Sequence, residues 1–387
     1  MKKQVLFVID SLRCGGAEKS LVSLLPLLDY DRLDVDLLIV HRGGVFERYL
    51  PPNVRIIPLP VATGWRFFLQ QLCRLRLTIL LRIGRLVRKK WHSAELHWRV
   101  MGAAFAPMET RYDVAVAYHQ GFPTYYTACK VTAAKKYAWI NVDLLNAGYA
   151  EKFNRSFYDR FDAIAVVSET LRNLLEKTFY ADQAKLCTVY DILNLNLIRQ
   201  LAREPNFADH LPADVLRIAT VGRLSVEKNH ALALATAKIL KENSLNFRWY
   251  FVGDGPERSN IERLVDIYGL HEHVVMLGMQ PNPYPYMAGC DIYVQTSRFE
   301  GFCLTLREAR ILNKPVVTTN FSVAVDQIQD GENGLIAEMT AESLAEKILL
   351  LARNDALRKQ LIAALRLEAD RTMITETEKV NKMLLAG

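Results

Sequence analysis

Two glutamates, Glu300 and Glu308, bracket the run Glu300-Gly301-Phe302-Cys303-Leu304-Thr305-Leu306-Arg307-Glu308. Eight residues of helix turn through about 800°, roughly 80° past two full turns. A helix opening just after Gly301 would therefore carry Glu308 two turns below its start, on roughly the same side. A ligand on that N-terminus would meet both carboxylates and the unpaired amides of Gly301, Phe302, Cys303 and Leu304. Two solvated glutamates are the alternative. The apolar neighbours Phe302, Leu304, Leu306 and Ala309 disfavour it.

A second run, Gly222-Arg223-Leu224-Ser225-Val226-Glu227-Lys228-Asn229, follows an apolar stretch and precedes a helical pattern. Two cations at the top of a strand, beside a helix N-terminus, suit a diphosphate. Solvated loop charges are the commoner fate of Arg and Lys, but the position favours binding. A third run, Asp10 to Glu18, contains Gly15 and Gly16. It is not G-x-G-x-x-G, so the dinucleotide fingerprint is absent. Two readings stand for it: a turn that lets backbone approach an anion, or simply a tight βα turn.

Loops of this kind need a scaffold that ends strands beside helices. Short β-branched runs supply the strands: Val5–Ile9, Val35–Val40, Val54–Pro58, Val114–Tyr118, Tyr137–Ile140 and Ala163–Val167. Helical patterns alternate with them, beginning with Ala17–Leu28, which implies βαβ units and a parallel sheet. A polar, proline-bearing break falls near residues 196–214. The pattern then restarts with Leu216–Val221, Phe247–Val252, Val274–Leu277, Ile292–Gln295 and Val316–Thr319. The expectation is α/β: two doubly wound domains, 1–205 and 206–365, facing a cleft. A last helical stretch, Ser343 to Leu385, would cap the second domain, its end (366–387) reaching back to the first.

The chain has 387 residues and a net charge of +7. Residues 61–105 hold nine basic residues and one acidic residue, a local charge of +8, which leaves −1 for the other 342. The protein is thus a near-neutral body with one basic segment. No apolar run approaches the ~18 residues of a spanning helix. The apolar run after Lys3 is cut short at Asp10, which argues against a secretory signal. The six cysteines are scattered with no C-x-x-C spacing, as expected of reduced thiols in a cytosolic protein.

Taken as an ordered set, these motifs resemble the retaining family 4 glycosyltransferases of the GT-B fold. The set comprises E-x7-E at 300–308, G-R-L-S-x-E-K-N at 222–229, Val252-Gly253-Asp254-Gly255-Pro256-Glu257 and Asp330-Gly331-Glu332-Asn333-Gly334-Leu335. The Gly15-Gly16-Ala17-Glu18 loop fits the family's N-terminal domain. The resemblance covers nearly the whole chain except 61–110.

The resemblance implies a nucleotide-sugar donor, UDP-linked on family frequency, as substrate and no further cofactor. It implies that Arg223 and Lys228 hold the diphosphate, that Glu308 binds ribose and that Glu300 contacts the sugar near the reacting carbon. Gly301, Phe302, Cys303 and Leu304 would offer amides to sugar and phosphate, Gly278 would lie by the base, and Gly16 would approach the phosphates from the other domain. Relatives place a functional histidine where His119 stands. A neutral imidazole there could orient the acceptor hydroxyl or take its proton, or His119 could be structural. Asp143 is a second acceptor-side candidate, and relatives commonly carry histidine where Asn141 sits. Cys303 and Thr305 replace the usual glycine and proline. Asp34-Val35-Asp36 spells D-x-D, the metal motif of another glycosyltransferase fold, but lies within an expected strand. No metal is expected.

The basic segment suits an amphipathic helix over 65–90, with Trp65, Phe68 and Leu69 opposite Arg66, Arg74 and Arg82. Such a helix docks on anionic membrane, or is an ordinary domain helix with a solvated basic face. The first reading implies a peripheral enzyme at the cytoplasmic face, acting on a lipid-linked or other glycan acceptor. A same-fold enzyme with a soluble acceptor is the alternative. A non-catalytic nucleic-acid or polyanion binder is more remote, and no nucleic-acid partner is expected: no zinc spacing or recognition motif accompanies the charge.

Overall fold

The computed structural model describes all residues except 1, 14, 62, 65–67, 70, 74, 75, 77–91, 179–182, 205–213, 369, 370 and 387. It divides into two compact units, Met1–Leu193 with Met373–Gly387, and Asn194–Thr372.

The first unit is built on seven parallel strands: β1 (Lys3–Ser11), β2 (Leu33–His41), β3 (Val54–Ile57), β4 (Arg111–Ala117), β5 (Thr132–Ile140), β6 (Ala163–Val166) and β7 (Leu186–Thr188). Their order is β3-β2-β1-β4-β5-β6-β7. Val5 to Val8 are wholly buried, as a strand covered on both faces requires. From Met373 onward the helix Arg371–Ala386 belongs to this unit. Asn381 caps the carbonyl of Leu27, and Tyr137 donates to the carbonyl of Met383.

The second unit has six parallel strands: β8 (Leu216–Val221), β9 (Phe247–Val252), β10 (Val274–Gly278), β11 (Ile292–Gln295), β12 (Val316–Thr319) and β13 (Leu335–Ala337). They run in the order β10-β9-β8-β11-β12-β13. Its core gathers Trp249, Phe251, Val294 and Val317 with Leu234, Ile261, Leu344 and Ile348 from the covering helices. Both sheets are of the Rossmann-like α/β kind the sequence implies.

Two features differ from the sequence reading. The edge strands β7 and β13 are additional; each has three residues, too few to show a periodicity. The C-terminal stretch is three helices: Ala341–Arg353, Asp355–Glu368 and Arg371–Ala386. The first break falls at Asn354, whose backbone (φ −125°, ψ 86°) leaves the helical region. The expected helix over 65–90 lies largely outside the described residues. Just beyond it, Ser93–Met101 is helical and sets Trp98 against Phe105, Phe122 and Tyr125.

Asp34 and Asp36 lie on β2, where Asp34 accepts from Gln4. Asp36 is buried and accepts from Arg55 at 2.7 and 2.8 Å and from the Tyr112 hydroxyl at 2.8 Å.

Candidate active site

In the second unit the chain runs outward from β8 through β9 and β10, then returns to lay β11 against the other side of β8. The loops leaving β8 and β11 start at this switch point, and doubly wound sheets bind ligands outside the carboxyl ends of the strands at such a point. Those two loops are 222–229 and 296–303, the two runs singled out by their chemistry.

They are tied together residue by residue. The Thr296 hydroxyl donates to the Lys228 carbonyl at 2.8 Å, and the Arg298 amide to the Glu227 carbonyl at 2.7 Å. The Arg298 guanidinium donates to Asn229 Oδ1 at 3.0 Å. This clamp brings Lys228 Nζ to 2.5 Å from Glu300 Oε1, with side chains only 17% and 12% exposed. Burial by itself would depress the Lys228 ammonium; the Glu300 carboxylate outweighs it and holds the pKa above the ordinary lysine value. The Ser297 hydroxyl donates to the same Glu300 oxygen at 2.6 Å.

Close backbone packing underlies the arrangement. Gly253, at φ +147°, lies where a Cβ would sit 1.9 Å from the Gly222 carbonyl oxygen. Its own amide donates to the Gly278 carbonyl at 2.8 Å. Gly278 ends β10 beside Arg258, and the adjacent Met279 is exposed.

After Glu300 the chain turns through Gly301 and Phe302 to Cys303, which caps the helix Leu304–Ile311 in a left-handed conformation (φ 68°). Burial, then the Glu300 carboxylate, push the Cys303 thiol up to about 12. Gln327 braces this turn by donating to the carbonyls of Phe302 and Cys303. Glu308, in the second turn of the helix, is wholly buried and accepts from the Tyr284 hydroxyl at 2.9 Å. Arg223 is exposed and makes no ion pair among the described residues. The fold therefore unites Lys228 with Glu300, stations Glu308 deeper along the same helix, and leaves Arg223 on the rim of its loop.

His230 follows this site. It is 3% exposed, its ring meets Phe251 edge-on at 5.3 Å, and among the described residues neither ring nitrogen finds a hydrogen-bond partner. Burial, then the charge of Lys228, push its pKa down to about 3.

The first unit repeats the switch at β1 and β4. The loop after β1 leads through Gly15 to Gly16, the first residue of the helix Gly16–Leu24. A Cβ on Gly15 would sit 2.1 Å from a Glu18 carboxylate oxygen. After β4, His119 Nδ1 faces the Gln120 carbonyl at 3.0 Å and Nε2 faces Gln120 Nε2 at 3.2 Å. A carbonyl only accepts and an amide nitrogen only donates, so this geometry assigns the neutral Nδ1–H tautomer. Past β5, Asn141 donates to the Tyr118 carbonyl at 3.1 Å. Asp143 is buried and held locally by the amides of Leu145 and Asn146 and by the Asn146 side chain.

Sequence reasoning passed over Ser297, Gln295, Tyr284 and Gln327, which carry no charge and belong to no motif. One signal was available: Gln295 and Ser297 are polar residues at the end of an apolar strand, just ahead of Glu300.

Residues 14–197 match the family model described as Glycosyltransferase Family 4, and residues 203–367 match Glycosyl transferases group 1. The chain belongs to the GT-B glycosyltransferases. Among these transferases it is 32% identical over 204 residues to an N-acetylgalactosamine-N,N'-diacetylbacillosaminyl-diphospho-undecaprenol 4-alpha-N-acetylgalactosaminyltransferase of Campylobacter jejuni, covering 52% of this chain and 54% of that one. It is 23% identical to the putative glycosyltransferase EpsF of Bacillus subtilis, covering 92% of this chain and 87% of that one. Matches to three foremost curated relatives span 41%, 54% and 36% of those proteins' lengths, about half or less. HepE of Anabaena, solved with UDP and glucose, shares the fold with a TM-score of 0.75 at 18% identity, covering 100% of both chains.

Among the described residues of this GT-B chain, no group of three or more His, Cys, Asp or Glu is placed to hold a metal ion. No helix among them is long and apolar enough to cross a membrane.

Proposed function

We propose that this protein is a retaining glycosyltransferase that moves a sugar from a nucleotide donor, a UDP-sugar in the first instance, to a lipid-linked or membrane-borne saccharide. The observation that carries the reading is the Lys228–Glu300 pair at the β8/β11 switch point. Breaking a glycosyl–phosphate bond leaves negative charge on the diphosphate and positive character on the sugar. Lys228 spends one of its three N–H donors on Glu300 and keeps two for phosphate oxygens. Arg223 and the start of the helix Leu304–Ile311 add positive potential on the same side. That supply of charge needs no metal ion, and metal independence is part of the proposal. The Glu300 carboxylate is assigned to stabilising the cationic sugar.

Glu308 is assigned to the ribose, Gly278 to the base, the amides of Gly301, Phe302, Cys303 and Leu304 to sugar and phosphate, and Gly16 to the phosphates. On the acceptor side, His119 and Asp143 are the residues assigned to the attacking hydroxyl. Relatives support both substrates: HepE was solved with UDP and with UDP-glucose, and a Staphylococcus aureus relative is a poly(ribitol-phosphate) alpha-N-acetylglucosaminyltransferase. With the diphospho-undecaprenol transferase, they support a role in cell-surface glycan synthesis. The +8 segment at 61–105 supports docking at the anionic inner face of the membrane.

Thermal-shift screening of UDP, GDP and their sugars, then donor hydrolysis, tests the reading. Glu300→Ala, Glu308→Gln and Lys228→Ala should each lose most turnover; full activity in all three overturns it. Neutralising the 61–105 cluster should abolish flotation with anionic vesicles and cut transfer to a lipid-linked acceptor far more than donor hydrolysis. Absence of vesicle binding in the unsubstituted protein would point instead to an acceptor in solution.

A further inference from the structure

Behind Glu300 runs a line of buried hydroxyl and amide groups that no assigned step uses. Tyr293 and Ser297 are wholly buried and Gln295 is 1% exposed. Ser297 Oγ lies 2.6 Å from Glu300 Oε1, Gln295 Nε2 lies 2.7 Å from Ser297 Oγ, and the Tyr293 hydroxyl lies 2.8 Å from Gln295 Oε1. Thr305 Oγ1, from the helix after the turn, lies 3.2 Å from the same Gln295 oxygen.

The direction of every bond follows from the carboxylate. An ionised Glu300 only accepts, so Ser297 must spend its one hydroxyl proton there. Ser297 Oγ can then only accept from Gln295, which assigns the amide nitrogen to that side. The amide oxygen faces the other way, where two hydroxyls donate to it. A chain with one permitted orientation holds its end group still. Its end is Glu300 Oε1, where Lys228 also arrives at 2.5 Å. Both donors converge on one oxygen. Among the described residues no hydrogen bond reaches Oε2.

We propose that Ser297 and Gln295 are positioning residues for Glu300: they lock Oε1 inward with Lys228 and thereby fix Oε2 as the oxygen presented to the sugar. The inference rests on the assignment of Glu300 to the donor sugar. Lys228 alone cannot supply the lock, because a flexible ammonium follows its carboxylate as it rotates, whereas Ser297 is anchored in the strand end. The chain acts on orientation at the reacting centre, so its loss should lower turnover and spare donor affinity.

The test measures hydrolysis of UDP-glucose, UDP-N-acetylglucosamine and GDP-mannose by the full-length protein, with melting temperature recorded for each variant. Ser297→Ala should lower kcat about tenfold with KM for the donor within about twofold. It leaves the Gln295 amide buried without an acceptor and is expected to destabilise. The double variant Ser297→Ala/Gln295→Leu removes both partners of that bond, and the Tyr293 and Thr305 hydroxyls it frees keep the Val221 carbonyl at 3.4 Å and the Cys303 sulfur at 3.7 Å, so part of the stability should return while turnover stays low. Recovery of kcat along with melting temperature in the double variant would show a merely structural role and overturn the inference. Unchanged kcat in both variants, with Glu300→Ala inactive, would overturn it and leave the assignment of Glu300 standing. Wild-type turnover in Glu300→Ala, or no hydrolysis of any donor by the unsubstituted protein, would remove that assignment and the inference with it.

Discussion

Lys228 and Glu300, 72 residues apart in the chain, meet at 2.5 Å because the Thr296 hydroxyl and the Arg298 amide hold the carbonyls of Lys228 and Glu227. The ion pair is therefore set by a backbone clamp between two strand ends, and its two charges have exchanged most of their water for each other. Three consequences can be measured.

Removing one partner strands the other. Lys228→Met leaves the Glu300 carboxylate largely buried with only Ser297, which should cost about 3 kcal/mol in urea unfolding. Adding Glu300→Gln should recover most of that stability. Neither variant should recover donor turnover, since both lack the cation. A double variant as unstable as Lys228→Met would show that the pair's coupling is not the cause.

The acid limb of stability should carry the signature of His230. Its pKa falls from 6.5 in the unfolded chain to about 3 in the fold. Between those values the unfolded state binds the extra proton, so stability is full above about pH 6.5 and declines as pH falls toward 3. The slope attributable to this residue is about 1.4 kcal/mol per pH unit. Lys228 is the charged neighbour that adds to the burial effect. Denaturant melts from pH 7 to pH 4 should therefore show a shallower loss in His230→Leu than in the unsubstituted protein. Parallel curves would contradict the assignment.

Two glycines with positive φ should behave differently. Gly253→Ala drives a methyl to 1.9 Å from the Gly222 carbonyl oxygen and should destabilise by about 3 kcal/mol. The loops after β8 and β9 would separate, and donor-induced thermal shifts should vanish. Gly331→Ala, at φ +81° with open space around the new methyl, should cost only about 1 kcal/mol and leave donor binding intact. Equal losses at the two positions would show that backbone conformation, not the close approach, is what matters.

Much of this was legible in the residues. Continuous apolar runs such as Val5–Ile9 marked buried strands, and the polar run after each marked a loop at its carboxyl end. Glu300, Lys228 and Arg223 stood out because they sit where a strand pattern gives way to a helical one, the position at which α/β sheets bind ligands. The short edge strands β7 and β13 escaped notice, because three residues of Leu-Cys-Thr or Leu-Ile-Ala carry no period. Asn354 broke the C-terminal helical stretch with no Gly or Pro to announce it.

The amino-acid sequence by itself determined the α/β class, the two-sheet organisation and the loops that hold the charged residues, because burial pattern and turn chemistry are local. Only the tertiary structure decided which loops meet. Strand order places β11 beside β8, and that adjacency turns Lys228 and Glu300 into a pair. It also decided that Ser297, Gln295 and Tyr293 stand in line behind the carboxylate while Glu308 accepts from the Tyr284 hydroxyl. Neutral polar side chains acquire such roles from the partners that surround them, and those partners come from distant parts of the chain.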